Sequence, residues 1–150
     1  SDGEKYSPEG IEEALVEKSP YIDQVMLYNN QCTTTTALIV PNRDSLRRYL
    51  KEKGMKAESV EGRTAALQLI ENELARFKKG GEFQGMFPER WLPSSFAVLA
   101  EPFTEQNQMI NSTMKMVRPK IEKAYKERID YIYTSEGKAT LNQQNIDSIF

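Results

Sequence analysis

The sequence predicts an α+β domain: a small, mostly antiparallel sheet of about three strands flanked by helices. Helix and strand signals come in the mixed order αββααβα, which is how such domains are built. Only three stretches have strand character, and the first two are joined by a short turn, as in an antiparallel hairpin. With 150 residues, 39% of them hydrophobic and 28% charged, one domain can bury a real core, and no composition signal of disorder appears.

Each element has a local cause. Ser7-Pro8-Glu9 opens the first helix with a hydroxyl cap, a proline at the first helical position and an acid facing the dipole. Ile11, Ala14 and Leu15 give it an apolar face, and Ser19-Pro20 stops it. Residues 21–28, rich in Ile, Val, Leu and Tyr, read as a strand, and Asn29-Asn30-Gln31 as a turn. Thr33 to Val40 is β-branched almost throughout and closed by Pro41-Asn42, the strongest strand signal in the chain. A helix follows over 43–53, with Leu46, Tyr49 and Leu50 on one side and Gly54 as its stop. Residues 57–62 read as a polar connector. The longest helix is expected over 64–79, with Leu67, Ile70, Leu74 and Phe77 at spacings of three and four. Phe83, Met86, Phe87 and Trp91 lack periodicity and read as a loop packed down by aromatics. Ser95 to Ala100 is the third strand. Pro119 opens the last helix, whose buried stripe is Ile121, Tyr125, Ile129 and Ile132. Residues 134–150 are polar and weakly patterned, either a loose tail or one that docks late.

Composition removes several kinds of chemistry. There is no histidine and one cysteine, Cys32, so zinc sites of nitrogen and sulfur ligands, histidine triads and an internal disulfide are out. The 20 basic and 22 acidic residues nearly cancel, which gives no field for nucleic acid or anionic lipid. The longest aliphatic run, Ala37 to Val40, is far short of a bilayer span. The chain opens Ser-Asp-Gly without Met or signal peptide, which suggests a processed product or an excised fragment, the fragment being the favoured reading.

The stretch with most chemical character is the polar loop from Phe103 to Pro119, with no acid between Gln106 and Lys120. Alone, Lys115 reads as a solvated lysine before a helix. Its setting adds a second reading, a point charge on a long stem that could reach phosphate oxygens. Asp2-Gly3-Glu4 is a turn before a helix, or a place where a ligand approaches the backbone closely. Arg43, Arg47, Arg48 and Lys51 form a basic patch that reads first as a solvated helix face, and second as a phosphate contact. Glu9, Glu12, Glu13 and Glu17 read as a helix surface and nothing more. Asn111-Ser112-Thr113 matches a glycosylation sequon, discounted without a signal peptide, and Cys32 reads as structural.

Taken together, the two ends resemble the C-terminal domain of the adenylate-forming (AMP-binding) enzymes, and more narrowly that of long-chain acyl-CoA synthetases (fatty acid–CoA ligases). The residues that carry this are a Gly-containing loop running into a helix, Gly3-Glu4-Lys5-Tyr6-Ser7-Pro8-Glu9-Gly10-Ile11-Glu12, and later a strand, the turn Glu101-Pro102-Phe103-Thr104, and a loop ending in Lys115 with Arg118 three positions on. Many members have Gly before this lysine where this chain has Met114; Thr113-Met-Lys-Met-Val-Arg118 resembles the long-chain branch instead. The resemblance covers residues 2 to about 133, so 1–133 is expected to be the lid domain and 134–150 a tail of unassigned role. It implies a ligase in which Lys115 is catalytic in acyl-adenylate formation, after which the lid rotates and CoA displaces AMP. It implies further that Gly3 and Glu4 line the pantetheine tunnel and that Arg118 contacts a cofactor. ATP and CoA would be substrates, Mg²⁺ would arrive with ATP, and this domain alone would bind none of them. The implied partners are a missing N-terminal adenylating domain, a fatty acid, ATP and CoA, with no nucleic acid. The implied location is cytoplasmic, with a membrane surface reached through the full-length enzyme. Two alternatives stay open: a related ligase with another acid or a carrier-protein acceptor, and a stand-alone α+β interaction module without catalysis.

Overall fold

The computed structural model describes residues 7–150. Three strands, β1 (Ile22–Tyr28), β2 (Thr35–Pro41) and β3 (Pro93–Val98), form one sheet in the order β1-β2-β3. β1 and β2 are the expected antiparallel hairpin, with Tyr28 opposite Thr36 and Leu27 opposite Ala37. β2 and β3 run parallel, with Ala37 beside Phe96 and Ile39 beside Val98. The domain is α+β with three strands as expected, but the sheet is mixed rather than mostly antiparallel. The cause is the long connection between β2 and β3: it crosses over through two helices and returns the chain in the same direction, which a hairpin cannot do.

Seven helices and helical turns surround the sheet among the described residues. α1 (Pro8–Glu17), α2 (Arg43–Glu52), α3 (Val60–Ala75) and α6 (Gln143–Ser148) lie with one apolar cluster, in which Ile11, Leu15, Leu46, Leu50, Leu67 and Ile70 meet Val25, Ile39 and Val98. α4 (Arg118–Ala124) and α5 (Lys126–Ile132) lie with a second cluster, in which Ile121, Ile129 and Ile132 meet Met26, Leu38 and Ala97. Neighbouring strand residues alternate between the two clusters, as the pleat requires. β2 is buried along its whole length, which is why its sequence is an unbroken apolar and β-branched run. A 3-10 turn, Glu89–Trp91, leads into β3, and before it Phe83 and Phe87 pack on Phe77 as the aromatic loop predicts.

Several boundaries differ from expectation for local reasons. α3 starts a turn earlier than expected because Ser59 caps it, accepting from the Gly62 amide at 2.9 Å. A Cβ on Gly62 would lie 2.0 Å from the Lys56 carbonyl oxygen, so only glycine permits that close passage. The expected last helix is two, because the backbone leaves helical geometry at Tyr125 (φ −112°, ψ 22°). Of the two states open to residues 134–150, the structure has the docked one. Asn142 caps α6, Ile149 is fully buried, and Asn145 fits its side-chain amide to the outer edge of β3, accepting from Val98 N–H and donating to Phe96 C=O, both at 3.0 Å. Arg43 completes the dock by donating to the carbonyls of Leu99, Ser148 and Ile149. The basic patch is therefore divided. Arg43 is structural, Arg47 pairs with Glu58 and lies over the Phe150 ring, and Arg48 and Lys51 are solvated.

Candidate functional site

The loop from Phe103 to Val117 is ordered by its own hydrogen bonds. Phe103 is buried, and its amide and carbonyl pair with the two ends of the Gln24 side chain on β1 at 2.8 and 2.9 Å. Beyond it the chain doubles back: Ile110 bridges Met116, and Val117 donates to the Met109 carbonyl at 2.8 Å. Asn111 closes the tip. Its side-chain oxygen accepts from the Thr113 amide, the Thr113 hydroxyl and the Lys115 amide, while its backbone N–H donates to the Lys115 carbonyl. The side chain of the sequon is thus the organiser of a turn.

Met114 stands at φ 65°, in the left-handed region, and the residue is 70% exposed. The resemblance noted in the sequence leads one to expect glycine at this position, and a left-handed backbone is one that glycine adopts without steric cost. Lys115 follows, exposed, with no hydrogen bond or ion pair from its ammonium among the described residues.

Lys115 and Arg118 stand on the rim of a groove of about 480 Å³ between α1 and this loop, floored by Val25, Phe103 and Ile110. The opposite wall holds Glu12, and here the structure corrects the sequence reading. Glu9, Glu13 and Glu17 are surface acids, but Glu12 is only 4% exposed. Its two carboxylate oxygens are gripped by both terminal nitrogens of Arg118, one at 2.9 Å, and it accepts the Leu27 amide at 2.6 Å. Leu27 lies on the edge strand β1, so the carboxylate satisfies a backbone donor of the sheet edge as well as a cation. Burial pushes the Glu12 carboxyl above its ordinary range, opposed by the hydrogen bonds from Arg118 and Leu27. The signal that could have found it is its place beside Ile11 and Leu15 on the apolar face, and at the end of the Ser-Pro-x-x-Ile-Glu pattern.

Of the residues singled out in the sequence, Lys115 and Arg118 are brought to one groove, with Arg118 turned toward Glu12. Gly3 and Glu4 lie outside the described residues. Among the described residues no group of three or more metal-ligating side chains comes together, and no helix is long and apolar enough to cross a membrane.

No protein-family model matches the chain. Among curated proteins it is similar to long chain acyl-CoA synthetase 8 of Arabidopsis thaliana, 26% identical in an alignment 137 positions long that covers 86% of this chain and 18% of that protein. It is similar to the carboxylic acid reductase of Mycobacterium tuberculosis, 28% identical over 87% of this chain and 10% of that protein. A putative fatty-acid–CoA ligase of the same species, fadD11, is 28% identical over 89% of this chain and 23% of its own length. Among solved structures, the adenylation domain of the carboxylate reductase from Mycobacterium chelonae superposes with a TM-score of 0.61 at 30% identity, covering 81% of this chain and 17% of that one. These relatives are adenylate-forming enzymes of the AMP-binding superfamily, and the chain is homologous to a segment of them. Within that superfamily, the matches are acyl-CoA and acyl-carrier-protein ligases and adenylation domains of carboxylic acid reductases. The chain spans about a tenth to a quarter of the length of the curated relatives described here.

Proposed function

We propose that this chain is the C-terminal catalytic lid of an ATP-dependent fatty acid–CoA ligase, acting with a larger adenylating domain of the same protein. The supporting observation is the placement of Lys115: an exposed ammonium on a turn held by Asn111, at the mouth of a groove, in a chain whose relatives include acyl-CoA ligases. One ammonium and a paired arginine do not make a nucleotide site. They would complete one built elsewhere, with Mg²⁺ brought by ATP.

In the first step the fatty acid carboxylate attacks the α-phosphorus of ATP, and the bond to pyrophosphate breaks. Two anions are brought together, so negative charge builds where the new bond forms. A lysine placed between carboxylate and phosphate oxygens stabilises that transition state more than either reactant. In the second step the thiol of CoA attacks the acyl carbon, AMP leaves, and the thiol proton passes to solvent. Lys115 has no part in that step, and rotation of the lid would withdraw it.

In the full-length protein, Lys115→Ala should lower acyl-adenylate formation, measured by pyrophosphate exchange, by about 100-fold. Thioester formation from pre-made acyl-adenylate should stay within about twofold, since only the first step uses the charge. Equal activity of variant and parent in both assays would make Lys115 an ordinary surface lysine.

A second reading is favoured by the similarity to a long-chain-fatty-acid–[acyl-carrier-protein] ligase of Arabidopsis thaliana, 27% identical over 89% of this chain. There the acceptor thiol would belong to a carrier protein. Offering CoA and a phosphopantetheinylated carrier in parallel separates the two.

A further inference from the structure

The lysine loop is mounted on the domain by two limbs. The outgoing limb is fixed where Phe103 pairs with Gln24 on β1. The returning limb carries Lys115 and ends three residues later at Arg118, whose guanidinium is held from two sides by the Glu12 carboxylate of α1. A guanidinium fork on a carboxylate fixes orientation as well as distance, which a single ammonium contact does not. Glu12 is itself immobilised, because its carboxylate also accepts the Leu27 amide.

A nearly buried ion pair is a poor way to gain stability, since desolvation offsets most of the attraction. An apolar residue at position 12 would fill the same space at lower cost, apart from the Leu27 amide it would leave without its acceptor. What the charged pair supplies and an apolar contact cannot is a fixed direction for the limb bearing Lys115. Glu12, Arg118 and Lys115 all line the same groove.

We propose that Glu12 is a positioning residue for the adenylating step, holding Arg118 so that the returning limb sets Lys115 at its working position. This rests on the role of Lys115 given under Proposed function.

The test uses the full-length protein with Glu12→Gln, which keeps an acceptor for the Leu27 amide and removes the negative charge paired with Arg118. The turnover number for acyl-adenylate formation should fall about tenfold or more, as misplacement of a catalytic group does, with KM for ATP and acid and the thioester step within about twofold. Combined with Lys115→Ala, it should add nothing to the loss caused by Lys115→Ala alone, because both act through one group. A folded Glu12→Gln enzyme with unchanged adenylation overturns the proposal. So does a loss that falls equally on both steps or adds in full to that of Lys115→Ala. If Lys115→Ala by itself leaves adenylation intact, the assignment of Lys115 fails, and the role of Glu12 with it. A severe Lys115→Ala defect beside a silent Glu12→Gln would sink the positioning role alone. Should Glu12→Gln not give folded protein, Arg118→Lys carries the same test, because the Arg118 side chain is a quarter exposed. It keeps the cation and loses the fork, with the same selective loss expected and unchanged adenylation again overturning the proposal.

Discussion

At the scale of single residues, Glu12 has an energetic signature distinct from the role proposed for it. The folded protein holds the Glu12 proton to higher pH than the unfolded chain does, because burial outweighs the help from Arg118 and Leu27. A carboxyl raised in this way contributes stability that is present below its ordinary value of 4.5 and is lost as pH rises through the folded-state value. Glutamine has no proton to lose. The stability of Glu12→Gln relative to the parent should therefore rise as pH is raised from 4.5 through the folded-state value of the carboxyl, whatever its offset, in urea unfolding at each pH. A gap that stays constant or moves the other way would show that the carboxyl is not raised. Met114 is the other residue of note. Its left-handed backbone shapes the turn that presents Lys115, in a conformation that costs a non-glycine residue about 1–2 kcal/mol.

At the scale of elements, α6 is the clearest case of tertiary contact creating structure. Six residues without an apolar stripe do not make a stable helix alone. The segment is held because Asn145 acts toward β3 as another strand would, satisfying Val98 N–H and Phe96 C=O on an edge that would otherwise be open. Asn145→Ala removes both partners from buried backbone groups and should destabilise the domain by about 2–4 kcal/mol. Thermal unfolding of the variant checks this, and a change within about 0.5 kcal/mol would mean the edge is satisfied some other way.

At the scale of the whole molecule, β2 is common to both apolar clusters, so the layers on its two sides cannot unfold independently. The 150-residue chain by itself should unfold in one cooperative transition, with fluorescence and circular dichroism melting together. It should also fail to form acyl-CoA from fatty acid, ATP and CoA, because one lysine at a groove mouth supplies no nucleotide site. Separate transitions would contradict the shared core, and measurable turnover would contradict the division of labour with a second domain.

Much of this was legible in the residues. The Ser-Pro-Glu helix start, the β-branched run of β2 and the spacing of Leu67, Ile70 and Leu74 act over one or two turns of chain, so local sequence determines them. The α+β class and the resemblance in the lysine loop follow from such signals in order. Other features depend on which distant segments meet. The parallel pairing of β3, the break at Tyr125 and the docking of α6 were settled by packing. So was the conversion of Glu12 from an apparent surface acid into a buried ligand for Arg118. A carboxylate 106 positions from its arginine leaves no periodic trace in the sequence. The local code determined the longer helices, the strands and the polar loop that carries Lys115; the tertiary structure decided what holds that loop, because burial and pairing are properties of neighbours in space.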